Sequence, residues 1–155
     1  MIHYRNATRG TGVDSRALKR VARTLLVAAG EEDSSLSLSL VGDREIRALN
    51  KVHRGKDNAT DVLSFPLLDE DDPDLSTGAE RLLGDVVISV ETARRQAGDY
   101  DATLQSELYR LLIHGILHVL GHDHERPAQR SRMETEERRL AAAIDMPWPY
   151  DVAHE

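Results

Sequence analysis

Residues 112–124 read Leu-Ile-His-Gly-Ile-Leu-His-Val-Leu-Gly-His-Asp-His, and they hold four of the seven histidines of the chain. His114 and His118 are four residues apart, so on an α-helix they share one face with Cβ atoms roughly 5–6 Å apart. Two imidazoles at that spacing can bind one ion, because Zn–N bonds are about 2.0–2.1 Å long. The stretch therefore predicts two metal ligands on neighbouring turns of one helix.

A third ligand has to follow a turn of the chain. On a continuous helix His124 would lie about 240° around the axis from His118. Gly121 favours the left-handed conformation that ends many helices, so we expect it to return the chain and bring His124 to the metal. If the helix instead continues through Gly121, His122 is the alternative third ligand. Three protein ligands with an open fourth position are typical of catalytic rather than structural metal sites.

The size and composition of the chain favour a globular protein without disulfides. We expect residues 1–155 to form a single domain with its own hydrophobic core. The chain has no cysteine, which excludes disulfides, thiolate ligands and cysteine nucleophiles. The segment Met1–Arg5 lacks the pattern of a signal peptide, and the apolar run 111–120 is half the ~20 residues that a membrane span needs. These features predict a cytoplasmic protein without membrane contact.

Charge is unevenly distributed along the sequence. The formal net charge is −7, yet residues 1–56 hold 11 Lys and Arg against 6 Asp and Glu. Such asymmetry permits a local basic face that binds nucleic acid on an otherwise acidic protein. Basic residues recur at helical spacing in two stripes: Arg16, Lys19, Arg20 and Arg23, then Arg44, Arg47, Lys51 and Arg54. Each stripe is either an RNA contact or an ordinary solvated helix face.

Hydrophobic periodicity and turn residues predict an α+β order of elements. Ser35–Leu40 alternates with period two, which indicates a strand with its leucines facing a core. We predict strands at 2–6, 35–40, 60–65 and 84–89. Helices are predicted at 15–29, 43–52, 90–97, from 101 or 103 to about 120, and from 127 to 144. Candidate N-caps are Asp14 or Ser15, Asp43, Ser89, and Asp101 or Thr103. We expect a solvated acidic loop at 69–74 and a C-terminal tail at 146–150 that can pack on the domain.

Three groups of residues together resemble the bacterial YbeY family of metal-dependent endoribonucleases of ribosomal RNA maturation. One is the histidine run, His114-Gly115-x-Leu117-His118-x-x-Gly121-x-Asp123-His124. The others are Asn50-x-x-x-Arg54-x-Lys56-Asp57-x-x-Thr60-Asp61-Val62-Leu63-Ser64-Phe65-Pro66 and Leu83-Gly84-Asp85-Val86-x-Ile88-Ser89. The resemblance covers nearly the full chain. It departs from the family at His122, where tyrosine is common, and at the acidic segment 69–74.

The resemblance implies a zincin-like α+β fold, a single domain with a mixed four-stranded sheet and about five helices. It implies one zinc ion per chain, held by His114, His118 and His124, and it aligns Arg54 with the functional arginine of the family. It further implies cleavage of single-stranded ribosomal RNA at the 3′ end of small-subunit (16S) rRNA, and a role in quality control of the small ribosomal subunit.

The chemistry of these residues fits phosphodiester cleavage. A three-histidine metal lowers the pKa of bound water towards ~7 and stabilises negative charge on a phosphoryl oxygen. Arg54 offers a permanently charged, planar donor fork for phosphate. The nucleophile is either the activated water or the ribose 2′-hydroxyl.

Two other classes of function are alternatives for this sequence. A metzincin protease shares the histidine and glycine spacing, but it needs a glutamate base where this chain has Gly115. A noncatalytic assembly factor would use zinc to stabilise its fold and the basic face to bind ribosomal RNA.

Overall fold

The computed structural model, which describes residues 1–67 and 81–148, begins with two strand–helix pairs, followed by two strands and then three helices. The strands are β1 (Ile2–Asn6), β2 (Ser34–Val41), β3 (Val62–Pro66) and β4 (Arg81–Ser89). The helices are α1 (Ser15–Ala28), α2 (Asp43–Arg54), α3 (Val90–Asp99), α4 (Leu104–Val119) and α5 (Pro127–Ala143). The predicted acidic loop at 69–74 lies outside the described residues.

The four strands form one mixed sheet in the order β1-β2-β4-β3. β1, β2 and β4 are parallel, whereas β3 runs antiparallel to β4 at one end of that order. The described part of the chain thus confirms the α+β class with a mixed four-stranded sheet and five helices. No helix in this part has the length and apolar content needed to cross a bilayer.

The two faces of the sheet are packed differently. The alternating stretch of β2 sends Leu36, Leu38 and Leu40 into a large core with α1, α3, α4 and α5. The other face carries a small core under α2, formed by Val41, Ile46, Leu63 and Val87. β3 contributes to both sides, because successive side chains of a strand alternate between faces. In the C-terminal tail, Met146 and Trp148 pack against the large core.

Most of the predicted helix caps are confirmed. The side chains of Asp14, Ser89 and Thr103 accept hydrogen bonds from backbone N–H groups at the starts of α1, α3 and α4. The expectation for Asp43 was wrong: Gly42 is the N-cap of α2, and Asp43 is its first helical residue. Its carboxylate instead accepts hydrogen bonds from donors outside α2.

Asp43 joins the start of α2 to the start of α3. Its carboxylate accepts hydrogen bonds from Ser89 Oγ at 2.6 Å, Thr92 Oγ1 at 2.6 Å and Arg95 Nη2 at 2.8 Å. Its backbone N–H donates to Glu91 Oε1 at 2.9 Å. Burial raises the pKa of the Asp43 carboxyl, but these side-chain donors and the charge of Arg95 outweigh it and lower the pKa overall. This junction fixes the direction in which α2 points.

We predict that Asp43→Asn lowers the free energy of unfolding at pH 7 by about 1–3 kcal/mol, because an amide cannot replace a charged acceptor for three donors. A carboxyl whose pKa is lowered by folding stabilises the protein above its unfolded pKa of about 4, and this stabilisation is lost as pH falls through the lower folded value. The difference between wild type and variant should therefore shrink in acid. Urea denaturation at pH 7 and in acid measures the difference in free energy of unfolding. Asp33→Asn, at an exposed position, is the control. Equal stabilities at pH 7 would contradict the prediction.

Candidate metal centre and its cleft

The two helical histidines lie side by side on the C-terminal half of α4. This half of the helix is buried on most sides, with Ile113, Ile116 and Leu117 nearly inaccessible to solvent. His114 and His118 interrupt that apolar surface, and their Nε2 atoms are 3.0 Å apart. Two nitrogens bound to one tetrahedral ion lie about 3.3 Å apart, from bond lengths of about 2.0–2.1 Å. The pair is thus close to the spacing that a shared metal needs.

The turn after α4 brings in the third histidine. Gly121 has φ of +97°, its N–H donates to His118 O, and the next N–H, of His122, donates to Leu117 O. These two bonds form the Schellman motif that ends a helix, as the sequence predicted. The chain then returns, and a ring nitrogen from each of His114, His118 and His124 lies within 4.8 Å of the others. The three side chains could hold a metal ion.

His122 lies on the other side of this turn. α4 ends at Val119, so the helix does not continue through Gly121 and residue 122 does not share a face with His114. His122 instead lines a separate surface cavity of about 330 Å³ with Gln129 and Arg132. The geometry groups His124, rather than His122, with the helical pair.

The electrostatic environment keeps the helical histidines in the form that binds metals. Burial, followed by the neighbouring charge of His118, lowers the pKa of His114 to about 4. Burial and then His124 lower the pKa of His118 as well. Both imidazoles are therefore neutral near pH 7, and a metal need not displace a proton from them. His124 is exposed, which leaves one side of the cluster open to solvent.

Gly115 lies against the sheet, at the position where a metzincin carries its glutamate base. A Cβ atom at residue 115 would lie 2.6 Å from Val86 Cγ1 and 3.3 Å from Ser64 Oγ. The hydroxyl of Ser64 donates to the backbone oxygen of Gly115 at 3.1 Å, which holds α4 against β3. There is no room for a glutamate here, so the general base of that protease class is missing for a structural reason.

A polar cleft of about 580 Å³ opens over the histidine cluster. β3 and the loop before it form one wall, and α4 with the Asp123–Glu125 turn forms another. Arg54 and Lys56 line this cleft together with the three histidines, as do the following residues: Thr60, Asp61, Val62, Ser64, Asp123 and Glu125. The structure thus brings all four predicted site residues into one cavity.

The last turn of α2 and a short fixed loop position Arg54. Arg54 ends α2, and Gly55 adopts the left-handed conformation with φ of +70°. The buried amide of Asn50 donates to Asn58 O at 2.9 Å and Oδ1 at 3.0 Å, and Arg47 pairs with Asp57 at 2.9 Å. These contacts hold the loop that follows Arg54. Two residues of the motif at positions 50–66, Asn50 and Asp57, therefore hold this loop in its conformation.

Sequence reasoning missed the carboxylate on the wall of the cleft. Asp61 Oδ1 accepts from the N–H of Val62 at 2.8 Å, and Oδ2 accepts from Gln96 Nε2 at 3.2 Å. Arg110 Nη2 in turn donates to Gln96 Oε1 at 3.5 Å, and Arg110 Nε pairs with Oε1 of the fully buried Glu107 at 2.6 Å. A polar chain thus runs from the interior of α4 to the cleft. Its sequence signal was weak, because Gln96 and Asp61 are far apart along the chain.

The two predicted basic stripes occupy different places. The α2 stripe ends at the cleft with Arg54, although Arg47 within it is paired with Asp57. α1 packs near β1, which is separated from β3 by the two central strands. On α1, Lys19 lies 5.5 Å over the ring of Tyr4. Of the two stripes, only the α2 stripe therefore has a residue that lines the cleft with the three histidines.

Comparison with known proteins gives consistent results. The family model described as Endoribonuclease YbeY matches residues 3–145. A protein named Endoribonuclease YbeY from Anaeromyxobacter sp. (strain Fw109-5) is 51% identical over 83% of this chain. One with the same name from Myxococcus xanthus is 53% identical over 84%. The solution structure of TM1509 from Thermotoga maritima has a TM-score of 0.59 and 26% identity, covering 94% of this chain and 92% of that one. The chain spans 64% of the length of the Anaeromyxobacter relative and 44% of the Myxococcus relative.

We predict that His114→Ala, His118→Ala and His124→Ala each lose most bound divalent metal, because two nitrogens bind an ion much more weakly than three. His122→Ala should keep the metal, since its side chain lines a different cavity. Elemental analysis after dialysis measures the stoichiometry, expected near one ion per chain, and circular dichroism checks the fold. Loss of metal from His122→Ala with retention in His124→Ala would reassign the third ligand.

Proposed function

The chain belongs to the endoribonuclease YbeY family, and on that premise we propose that it is a metal-dependent endoribonuclease that cuts single-stranded RNA. The main observation that supports this proposal is that the three-histidine cluster and Arg54 line one open cleft. His114, His118 and His124 are the proposed ligands of one zinc ion. Their all-nitrogen donor set and spacing suit a tetrahedral ion with an open fourth position.

A zinc ion held there would lower the pKa of bound water and stabilise charge on a phosphoryl oxygen. The protein residues supply the remaining needs of the reaction. Arg54 presents a planar, permanently charged donor fork on the cleft wall, where it can bind the non-bridging oxygens of a phosphate. Its benefit should be greatest in the transition state, because the charge on those oxygens increases there.

Local charge supports an RNA substrate in spite of the acidic net charge of −7. Arg54 and Lys56 line the cleft, and Lys51 lies one turn before Arg54 on the exposed surface of α2. The carboxylate of Asp57 neutralises Arg47 nearby, but Arg54 and Lys56 have no ion-pair partner among the described residues. The carboxylates of Asp61, Asp123 and Glu125 also line the cleft, so attraction to a phosphate backbone is local to Arg54 and Lys56.

The biological setting is proposed from the family. We propose that the substrate is the 3′ end of small-subunit (16S) ribosomal RNA, that the enzyme acts in ribosome quality control on the small subunit, and that it works in the cytoplasm. A noncatalytic assembly factor is the alternative, in which the metal only stabilises the fold. Retention of RNA binding without any cleavage at full metal loading would favour that alternative.

We predict that Arg54→Ala keeps its fold and metal but cleaves single-stranded RNA roughly 10²-fold more slowly, as is typical for loss of a preorganised donor. Arg54→Lys should recover only part of the rate, because a point charge does not replace a bidentate fork. Single-turnover cleavage of a labelled oligoribonucleotide measures both. Arg20→Ala, on the exposed surface of α1, is the matched control. An unchanged rate in folded, metal-loaded Arg54→Ala would remove Arg54 from the mechanism.

A further inference from the structure

An aromatic pair lies directly beside the arginine of the cleft. His53, in the last turn of α2, contacts Phe65 on β3, with ring centroids 4.9 Å apart. The rings are tilted by 58°, so Phe65 supports the imidazole without stacking face to face upon it. His53 is exposed and Phe65 is half-buried. The imidazole is therefore held in place by one neighbour while much of its surface meets solvent.

Two exposed apolar residues are close to this pair in the sequence. Val52 precedes His53 and is 77% exposed, and Leu67, two residues beyond Phe65, is 52% exposed. Isolated exposed apolar residues are common on protein surfaces, so the informative feature is the exposed His53 ring, held by Phe65 next to Arg54. An exposed ring next to a site for phosphate is the combination that binds unpaired nucleotides.

The chain geometry relates this surface to Arg54. His53 and Arg54 are consecutive, with Cα atoms about 3.8 Å apart, and Arg54 lines the cleft while His53 contacts Phe65 of β3. Consecutive side chains on a helix point about 100° apart, so an RNA strand that contacts both would have a phosphate at Arg54 and an adjacent base at His53. The occupant that suits both halves of the surface is an RNA strand with its phosphate on the arginine and a base on the ring.

We propose that His53, supported by Phe65, is a stacking platform for one unpaired RNA base next to the phosphate bound by Arg54. The inference rests on the proposed nuclease function and deepens it. Stacking needs a free base face, whereas the bases of a duplex have both faces covered by their neighbours. The platform therefore gives a physical cause for preference for single strands, with little selection among the four bases, since every base has a π-face.

The test compares binding of two oligoribonucleotides of equal length, one complete and one with a central run of abasic riboses. The proteins are wild type, His53→Leu, which keeps bulk but loses the ring, and His53→Tyr, which restores a ring. His3→Leu is the control, because His3 is exposed on β1 at the far end of the strand order. Fluorescence anisotropy at several salt concentrations, with metal-loaded protein and intact RNA verified on a gel, gives affinities and salt slopes.

We expect His53→Leu to bind the complete RNA about tenfold more weakly and the abasic RNA as wild type does, because only the base contact is lost. His53→Tyr and His3→Leu should bind both RNAs like wild type. The salt slope should not change, since no phosphate contact is removed.

Three results would overturn the platform while leaving the nuclease proposal intact. They are unchanged affinity of His53→Leu for the complete RNA, equal weakening on the abasic RNA, and a change in oligomeric state that shows the patch to be a contact between copies of the chain. Failure of the wild type to bind either RNA would overturn both proposals together.

Discussion

Close contact between α4 and the sheet at Gly115 determines the geometry of the whole site. Because residue 115 has no side chain, the helix can approach Val86 and receive a hydrogen bond from Ser64 to its backbone. This close packing places His114 and His118 beside the wall of the cleft that β3 forms. It also removes the position from which a zincin-type glutamate would act. The same close approach that positions His114 and His118 thus excludes the general base of a metzincin protease at residue 115.

Elements distant in sequence meet at the cleft because each is fixed by its own local chemistry. Asp43 ties the start of α2 to α3, and the direction of α2 then carries Arg54 to the edge of β3. Asn50 holds the loop that follows Arg54. A Schellman turn returns the chain after α4 and brings His124 to the other histidines. Arg54 and Lys56 line this cleft beside the histidines, together with the carboxylates of Asp61, Asp123 and Glu125.

Local patterns predicted much of this structure. The i, i+4 histidines, the glycine turn and the alternating leucines of β2 depend on near neighbours in the chain, and all three are found as expected. Strand order and the antiparallel direction of β3 depend on long-range pairing, which sequence periodicity does not encode. The predicted cap at Asp43 was wrong for the same reason, because the side-chain donors to its carboxylate, among them Ser89 of β4 and Thr92 of α3, are distant in the sequence. Asp61 and Gln96 could not be linked before the fold was known.

The central claim is that a metal held by three histidines drives cleavage of RNA in this cleft. Its most direct test is the single-turnover rate of cleavage of a single-stranded RNA by protein stripped of metal with a chelator, before and after addition of one equivalent of zinc. We expect a loss of roughly 10²-fold or more on stripping, with the fold retained, and recovery at one equivalent. Cleavage at an undiminished rate by folded, metal-free protein would contradict it.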